Sequence, residues 1–176
     1  MTNIGGTGSG NVRASIKPPI IVYEPAAPDY YFFDSVEQAE RDLESPDIWD
    51  EAYIIYDAEG YRIIPEVQGL PPRSKPWCPL QSIPIDPVLL RKRSDECYAD
   101  ELRQLLIGII PDWLEYLKEQ YNYSELPDEY KDRRYLEQLP LADLVQTARS
   151  LYAVFEEISA RRLRQSLRRL VLTLFL

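Results

Sequence analysis

The alternation of apolar and polar residues in the first half of the chain predicts short β-strands. The runs from Ile20 to Tyr23 and from Tyr30 to Phe33 are β-branched or aromatic, and the prolines between them indicate a loop. Two more strands, about Ala52 to Tyr56 and Tyr61 to Val67, flank a turn in which Gly60 supplies a positive φ. Both faces of this hairpin are apolar or aromatic. One face should therefore pack on a helix and the other on a further layer.

The sequence between these strand pairs has the signals of a helix that begins after Ser35. The Ser35 hydroxyl is a suitable N-cap, and Gln38, three residues later, completes a capping box. The apolar stripe of this helix consists of Val36, Ala39 and Leu43. We expect the helix to end at Ser45, because proline disfavours helix in the residue that precedes it.

The second half of the chain has the apolar spacing of helices. Ser94 is expected to cap a helix that continues to about Ile110, and Pro111 is expected to open the next one. A short helix is predicted near residues 128–138. From Pro140 onward the spacing predicts an amphipathic helix of about 30 residues. Its stripe comprises Leu141, Leu144, Ala148, Tyr152, Phe155, Ser159, Leu163, Ser166, Leu170 and Leu174.

Composition divides the chain into four parts. Residues 1–17 are a glycine-rich, flexible tail, and residues 18–67 form an α+β segment that we call the acidic lobe. Residues 68–87 contain six prolines and predict an extended strap that either spaces two lobes or lies across a groove. Residues 88–176 are assigned to a helical lobe. The predicted fold class is α+β: a small helix-plus-antiparallel-hairpin lobe, a proline-rich strap, and a helical lobe that ends in a long amphipathic helix.

Charge is distributed very unevenly along the chain. Between Glu24 and Glu66 there are 13 carboxylates and two cations, a formal charge of −11, whereas the last 28 residues sum to +4 and the whole chain to −9. A lobe of this charge attracts a cationic partner and repels nucleic acid and anionic lipid. We therefore expect a protein partner and no binding of nucleic acid, even though six arginines lie among the last 28 residues.

The residue types that most often carry catalysis are poorly represented. The chain has no histidine, which excludes Ser/His/Asp and Cys/His devices. The carboxylates of Asp47, Asp50 and Glu51 are candidates for hydrolysis or for a divalent cation, but their spacing is not that of a calcium loop. The alternatives for them are a solvated acidic rim and a partner-facing patch. We predict no catalytic residue, no metal ligand and no cofactor.

Cysteine usage and the apolar runs favour the cytoplasm. Cys78 and Cys97 have neither the spacing of a zinc site nor a disulfide framework around them. The N-terminal residues do not have the basic and apolar parts of a secretory signal. No apolar run approaches the roughly 20 residues that a membrane span needs. A cytoplasmic protein without a membrane span is therefore expected.

Tyrosine is the second unusual feature of the composition. Thirteen tyrosines occur, and those of the acidic lobe lie among carboxylates, a combination suited to contacting arginine and lysine of a partner. The predicted partner-binding residues are centred on the hairpin. They are Asp47, Trp49, Asp50, Glu51, Tyr53, Tyr56, Asp57 and Glu59.

Part of the acidic lobe is similar to a known class of proteins. Residues 33–44 have the pattern FxSxxxAExxLE, and residues 56–63 read YDAEGYRI. Together the segment Tyr31 to Ile63 resembles small bacterial toxin-immunity proteins, in which a strand and a helix of this kind pair with such a hairpin. The resemblance implies an acidic, cytosolic protein that blocks a toxin by covering its active site.

These observations lead to one principal hypothesis and two alternatives. The principal hypothesis is a non-enzymatic bacterial immunity protein or inhibitor, whose acidic lobe covers the basic active-site surface of a cognate toxin or enzyme. The first alternative is a structural or adaptor subunit that assembles through the C-terminal amphipathic helix. Its apolar end should dock into the core or against a sister subunit, the latter forming a homodimer. The second alternative is a carboxylate-based hydrolase or metal enzyme.

Overall fold

The computed structural model describes residues 16–69 and 86–174, with side chains except for Pro46, Lys92 and everything from residue 162 onward. These residues belong to two compact units, of which the first ends at Ala99 and the second begins at Asp100. The fold class is α+β, as predicted. In chain order the elements are β1 (Ile20–Glu24), β2 (Asp29–Phe33), α1 (Val36–Asp42), α2 (Ser45–Trp49), β3 (Ile54–Tyr56), β4 (Tyr61–Val67), β5 (Val88–Cys97), α3 (Ala99–Tyr121), a 3-10 turn (Asp128–Lys131), α4 (Arg133–Leu136) and α5 (Leu141–Leu174).

The first unit contains a five-stranded antiparallel sheet in the order β2-β1-β3-β4-β5. Val22 in β1 lies opposite Tyr31 in β2 and opposite Ile55 in β3, so these three residues share one face of the sheet. Helix α1 packs on this face through its predicted stripe. The other face is buried as well, at Ile21, Phe32 and Tyr56. Both faces of the sheet are therefore apolar, as the hairpin sequence predicted.

Helix α1 begins as predicted but ends early. The Ser35 Oγ accepts a hydrogen bond from the Gln38 backbone N–H (3.1 Å), and Gln38 Oε1 accepts one from the backbone N–H of Asp34 (3.0 Å). The helix stops at Asp42 rather than at Ser45, where the separate helix α2 begins. Proline is tolerated in the first turn of α2, because a backbone N–H at that position would have no acceptor within the helix. A helix of five residues is too short to leave a periodic pattern in the sequence.

The turn between β3 and β4 forms around Gly60 (φ +85°), as predicted. The Asp57 carboxylate accepts hydrogen bonds from the backbone N–H groups of Glu59 and Tyr61, both at 3.0 Å. The start of α3 passes directly against the turn, because a Cβ added at Gly60 would lie 2.6 Å from the Cα of Ala99. Glycine is therefore required here both for its φ and for its small size.

Residues Val88–Cys97 form strand β5, so Ser94 does not cap the predicted helix, which begins only at Ala99. The Ser94 hydroxyl instead accepts a hydrogen bond from the Glu96 N–H (3.0 Å). β5 pairs antiparallel with β4, and Val88 and Leu90 enter the core. Pairing with β5 gives the backbone N–H and C=O groups along β4 their hydrogen-bond partners. Ser94 as a possible helix cap carries no information about this distant strand. The strand belongs to the first unit.

Helix α3 is continuous from Ala99 to Tyr121, although Pro111 was predicted to begin a new helix. A proline inside a helix costs about 3 kcal/mol, because it removes a backbone hydrogen bond and crowds the preceding turn. The apolar stripe nevertheless continues across the proline and is buried, at Leu106, Ile110, Leu114 and Leu117. Since each such side chain contributes about 1.5–3 kcal/mol when buried, packing outweighs the cost of the proline.

The ends of the predicted proline-rich strap lie side by side. The backbone N–H of Gln68 donates to the Pro87 carbonyl (3.0 Å), and that of Asp86 donates to the Ser45 Oγ (3.1 Å). The two ends of the segment therefore join neighbouring strands of one sheet, β4 and β5. Its middle, with Trp77 and Cys78, lies outside the described residues, as does the predicted glycine-rich tail up to residue 15.

The second unit contains the long C-terminal helix that the sequence predicted. Helix α5 has 34 residues, and its first half buries Leu144, Val145, Ala148 and Leu151. Helices α3 and α5 run in the same direction. Arg103, near the start of α3, donates to the Leu139 carbonyl just before α5 (2.6 Å), while the ring of Trp113 lies 5.3 Å from that of Phe155. The side chains of the predicted apolar tip at the C-terminus lie outside the described residues.

Candidate functional site

Helix α2 and the residues after it form a compact acidic segment of the first unit. The Asp47 backbone carbonyl accepts a hydrogen bond from the Ala52 N–H (2.9 Å), which turns the chain back toward β3. The Asp47 carboxylate also accepts a hydrogen bond from the Tyr53 hydroxyl (2.9 Å). The two contacts fix the loop between Asp47 and Tyr53 at both its backbone and its side chains.

Tyr31 and Glu24, on the neighbouring strands β2 and β1, lie beside this segment. The Tyr31 ring packs edge-on to the Tyr53 ring, with centroids 6.4 Å apart, and both tyrosines pack partly against the core beneath α1. The Tyr31 hydroxyl donates to a Glu24 carboxylate oxygen at 3.5 Å. We call the set Glu24, Tyr31, Asp47, Trp49, Asp50, Glu51 and Tyr53 the acidic corner.

The electrostatic setting keeps both phenols protonated. Burial raises the pKa of Tyr53 above its usual range, and the Asp47 carboxylate that accepts its hydrogen bond raises it further. Burial likewise raises the pKa of Tyr31, with further contributions from Asp29 and Glu24. Both hydroxyls therefore act as hydrogen-bond donors at neutral pH. They hold two carboxylates in fixed positions beside two aromatic rings.

The loop of the acidic corner presents its charges to solvent. Asp50 and Glu51 are exposed, and Trp49 is partly exposed at the end of α2. Glu51 has a φ of +54°, a conformation that residues with a side chain adopt uncommonly, and its N–H donates to the Ile48 carbonyl (3.2 Å). The chain thus reverses sharply at Glu51 and holds the two acidic side chains outward.

Tyr56 and Asp57 do not belong to the surface, which corrects their prediction as partner-binding residues. Both have no exposed surface. The Tyr56 ring lies in the sheet, where Arg62 approaches it at 5.8 Å, and Asp57 closes the β3–β4 turn. A buried side chain cannot contact a partner without unfolding its surroundings. The apolar pattern on both faces of the hairpin already indicated that Tyr56 would be covered, and its selection as a binding residue did not take this into account.

Glu59 is half-exposed but lies at the far end of β3 from the acidic corner. Its carboxylate pairs with Arg93 (3.0 Å). The structure thus brings together Asp47, Trp49, Asp50, Glu51 and Tyr53 of the eight predicted residues. Tyr31 and Glu24 were not among the predicted site residues, because only the pairing of β1 with both β2 and β3 places them beside Tyr53.

The acidic corner offers carboxylates and phenols for the recognition of cations. Within residues 16–69 and 86–174, three or more His, Cys, Asp or Glu side chains are nowhere grouped as a metal ion would require. None of the described helices is long and apolar enough to cross a membrane. Comparison of the chain with protein-family models, with curated proteins and with solved structures gives no match.

Proposed function

We propose that this chain is a non-enzymatic protein-binding protein, an immunity protein or inhibitor that covers the basic active-site surface of a cognate toxin with its acidic corner. The observation that carries the proposal is a pair of hydroxyl-to-carboxylate contacts on one surface. Tyr53 donates to Asp47 at 2.9 Å, and Tyr31 donates to Glu24 at 3.5 Å. Both pairs lie within the segment that carries a formal charge of −11.

This arrangement suits the side chains of arginine and lysine. A carboxylate that already accepts one hydrogen bond from tyrosine keeps further lone pairs for a guanidinium group of the partner. The adjacent Tyr31 and Tyr53 rings offer cation–π contact, and their packing fixes them before binding. Exposed Asp50 and Glu51 add charge that accelerates encounter with a cationic surface. Enzymes that act on nucleic acid or other anions carry such basic surfaces.

The resemblance to toxin-immunity proteins supports the same proposal. The segment from Tyr31 to Ile63 contains the strand, the helix and the hairpin on which that resemblance depends. The acidic corner lies within this segment except for Glu24. The bacterial and cytoplasmic setting is part of the proposal.

The experiment is capture of the partner from the source cell with the tagged full-length chain, followed by binding measurements on the purified pair. Asp50→Lys combined with Glu51→Lys should weaken binding at least tenfold, because both side chains are exposed and near the proposed contact. The matched control is Glu129→Lys with Glu137→Lys, the same change of charge at exposed residues of the second unit. Equal losses in both variants, or in neither, would overturn the assignment of the site.

A structural or adaptor subunit is the second candidate, and the length of α5 favours it. A helix of 34 residues is longer than the 23-residue helix α3 beside which it packs. In this case α5, and not the acidic corner, contacts the other component. Partner capture that survives Asp50→Lys and Glu51→Lys but is lost on truncation after Arg161 would support this candidate over the first.

A further inference from the structure

A row of five aromatic rings joins helices α3 and α5. The Tyr152 ring lies 6.2 Å from the Trp113 ring, which in turn lies 5.3 Å from the Phe155 ring. Phe155 stacks on Tyr116 at 5.8 Å, and Tyr116 lies 5.9 Å from Tyr121, all four distances being between ring centroids. We call these five residues the aromatic row. Because its contacts pass back and forth between two helices, both helices hold it in place.

The aromatic row lies at the margin of the core and not inside it. The second unit completely buries aliphatic side chains of both helices, among them Leu114, Leu117, Leu144 and Leu151. In contrast, four rings of the row are half-buried and the fifth, that of Tyr116, is 45% exposed. Stiff aromatic side chains that keep exposed surface are the residues by which protein interfaces differ from the rest of the surface.

Carboxylates flank the most exposed ring of the row. Asp112 lies four residues before Tyr116 on α3 and Glu119 lies three residues after it, so both neighbour this ring on the helix surface. Both carboxylate side chains are exposed. Lys118 pairs with Asp128 (2.6 Å), and in the part of the chain whose side chains are described neither flanking carboxylate forms an ion pair. The surface around Tyr116 is therefore negatively charged.

The other end of the aromatic row already holds a cation. The guanidinium carbon of Arg149 lies 5.9 Å from the centroid of the Tyr152 ring, and its Nη1 lies 3.6 Å from Oε2 of Glu156. Glu156 follows Tyr152 by four residues, so a ring and a carboxylate on one helix face share this guanidinium. Tyr116 has carboxylates at equivalent helical spacing, and its ring is more exposed. A cation of a partner can therefore occupy the same kind of position beside Tyr116.

We propose that the aromatic row is a docking surface for a basic segment of a partner protein, with an arginine of that segment over the Tyr116 ring and between Asp112 and Glu119. Arginine suits this position better than lysine, because its planar guanidinium stacks on a ring and pairs with carboxylates at the same time. The half-buried rings of the row offer contact area to apolar side chains of the same segment. The row belongs to the second unit and the acidic corner to the first, so docking on the row does not require the acidic corner.

The test uses the full-length chain and two fluorescently labelled synthetic peptides of equal length and charge. In one peptide arginines, and in the other lysines, are interspersed with prolines and leucines. Fluorescence anisotropy measures both dissociation constants at about 0.1 M salt. The arginine peptide should bind with a dissociation constant below about 1 mM, and the lysine peptide at least about threefold more weakly. If the arginine peptide showed no saturable binding, or if both peptides bound equally, the proposal would be overturned.

Substitutions locate the arginine peptide on the chain. Tyr116→Ala should raise its dissociation constant at least about fivefold, whereas Tyr116→Phe, which keeps the ring, should leave it within about twofold. Asp112→Asn with Glu119→Gln should weaken binding and reduce its dependence on salt. The matched control is Glu129→Gln with Glu137→Gln, which removes the same charge at exposed residues of the same unit. An equal loss of binding in the control would overturn the proposal.

Two further outcomes would assign the aromatic row a different role. If Asp50→Lys with Glu51→Lys abolished peptide binding and Tyr116→Ala did not, the peptide would bind the acidic corner, and the proposal would be wrong. If the parent chain sedimented as a dimer that Tyr116→Ala converts to a monomer, a second copy of the chain would cover the row, and the proposal would be wrong as well. Circular dichroism melting shows whether each variant keeps its fold. Should Tyr116→Ala unfold the protein, the paired substitution of Asp112 and Glu119 decides the result.

Discussion

Arg93 Nη1 lies 3.3 Å from Oδ2 of Asp57, a carboxylate with no solvent-exposed surface. The same guanidinium lies over the Tyr61 ring, 3.4 Å from its centroid, and pairs with Glu59. Arg93 thereby links the β3–β4 turn to strand β5. The buried charge of Asp57 is compensated both by Arg93 and by the backbone N–H groups of the turn.

This relationship predicts a large difference between two neighbouring carboxylates. Asp57→Ala should lower the free energy of unfolding by about 3 kcal/mol, because it leaves two buried backbone N–H groups of the turn without their acceptor and removes one of the two carboxylates that pair with Arg93. Glu59→Ala should cost less than about 1 kcal/mol, since that side chain is half-exposed. Urea unfolding of both variants measures the difference. Similar losses in the two would show that the Asp57 contacts do not hold the turn.

Two glycines provide a second matched pair. Gly60→Ala should destabilise the protein by about 1–3 kcal/mol, because the residue has φ +85° and its added Cβ would press on Ala99. Gly108→Ala should stabilise it by about 0.5–1 kcal/mol, since Gly108 lies inside α3 with open space around it. Thermal unfolding compares the two variants with the parent. The close contact between Gly60 and Ala99 would be in doubt if both alanines acted in the same direction.

Local signals gave correct predictions wherever neighbouring residues decide the structure. Ser35 caps α1 through Gln38, and Gly60 forms the hairpin turn, because both depend on contacts over a few residues. The 34-residue helix α5 was predictable for the same reason, since its stripe is regular over its length.

Predictions from local sequence signals were wrong where distant parts of the chain decide the structure. Ser94 looks like a helix cap, but β4 takes Val88–Cys97 as its partner strand. Pro111 looks like a helix start, but buried leucines on both sides keep α3 continuous. In the candidate site, Tyr56 was predicted to bind a partner but is buried, whereas Tyr31 belongs to the acidic corner although it was not predicted there. Their burial and their neighbours follow from the order of strands in the sheet, which the sequence does not state.

Tyr30 predicts a loss of stability in alkali. Burial raises its pKa to about 12, with a smaller contribution from the stacked Tyr23, whereas an unfolded tyrosine ionises near pH 10. Between these values the unfolded chain releases the proton and the folded chain retains it. The contribution of Tyr30 to the free energy of unfolding is therefore fully present below about pH 10. As the pH rises from about 10 to about 12, the free energy of unfolding falls by about 2 kcal/mol.

The Tyr30→Phe variant tests this assignment. Its free energy of unfolding should fall less steeply than that of the parent between about pH 10 and 12, because the ionising group is absent. Urea titrations at several pH values measure the slope. A variant that loses stability as steeply as the parent would show that Tyr30 ionises equally easily in the folded and unfolded chain.

The acidic corner predicts two separable kinetic effects on partner binding. Asp50→Lys and Glu51→Lys should slow association about tenfold and reduce its dependence on salt, because exposed charges act mainly before contact. Trp49→Ala should mainly speed dissociation, by tenfold or more, since a large aromatic side chain contributes after water is excluded.

Tyr56→Phe is the internal control, because Tyr56 is buried and its substitution should change neither rate. Surface plasmon resonance at several salt concentrations separates the two rates. If the three surface substitutions left both rates unchanged, the acidic corner would be excluded as the binding surface.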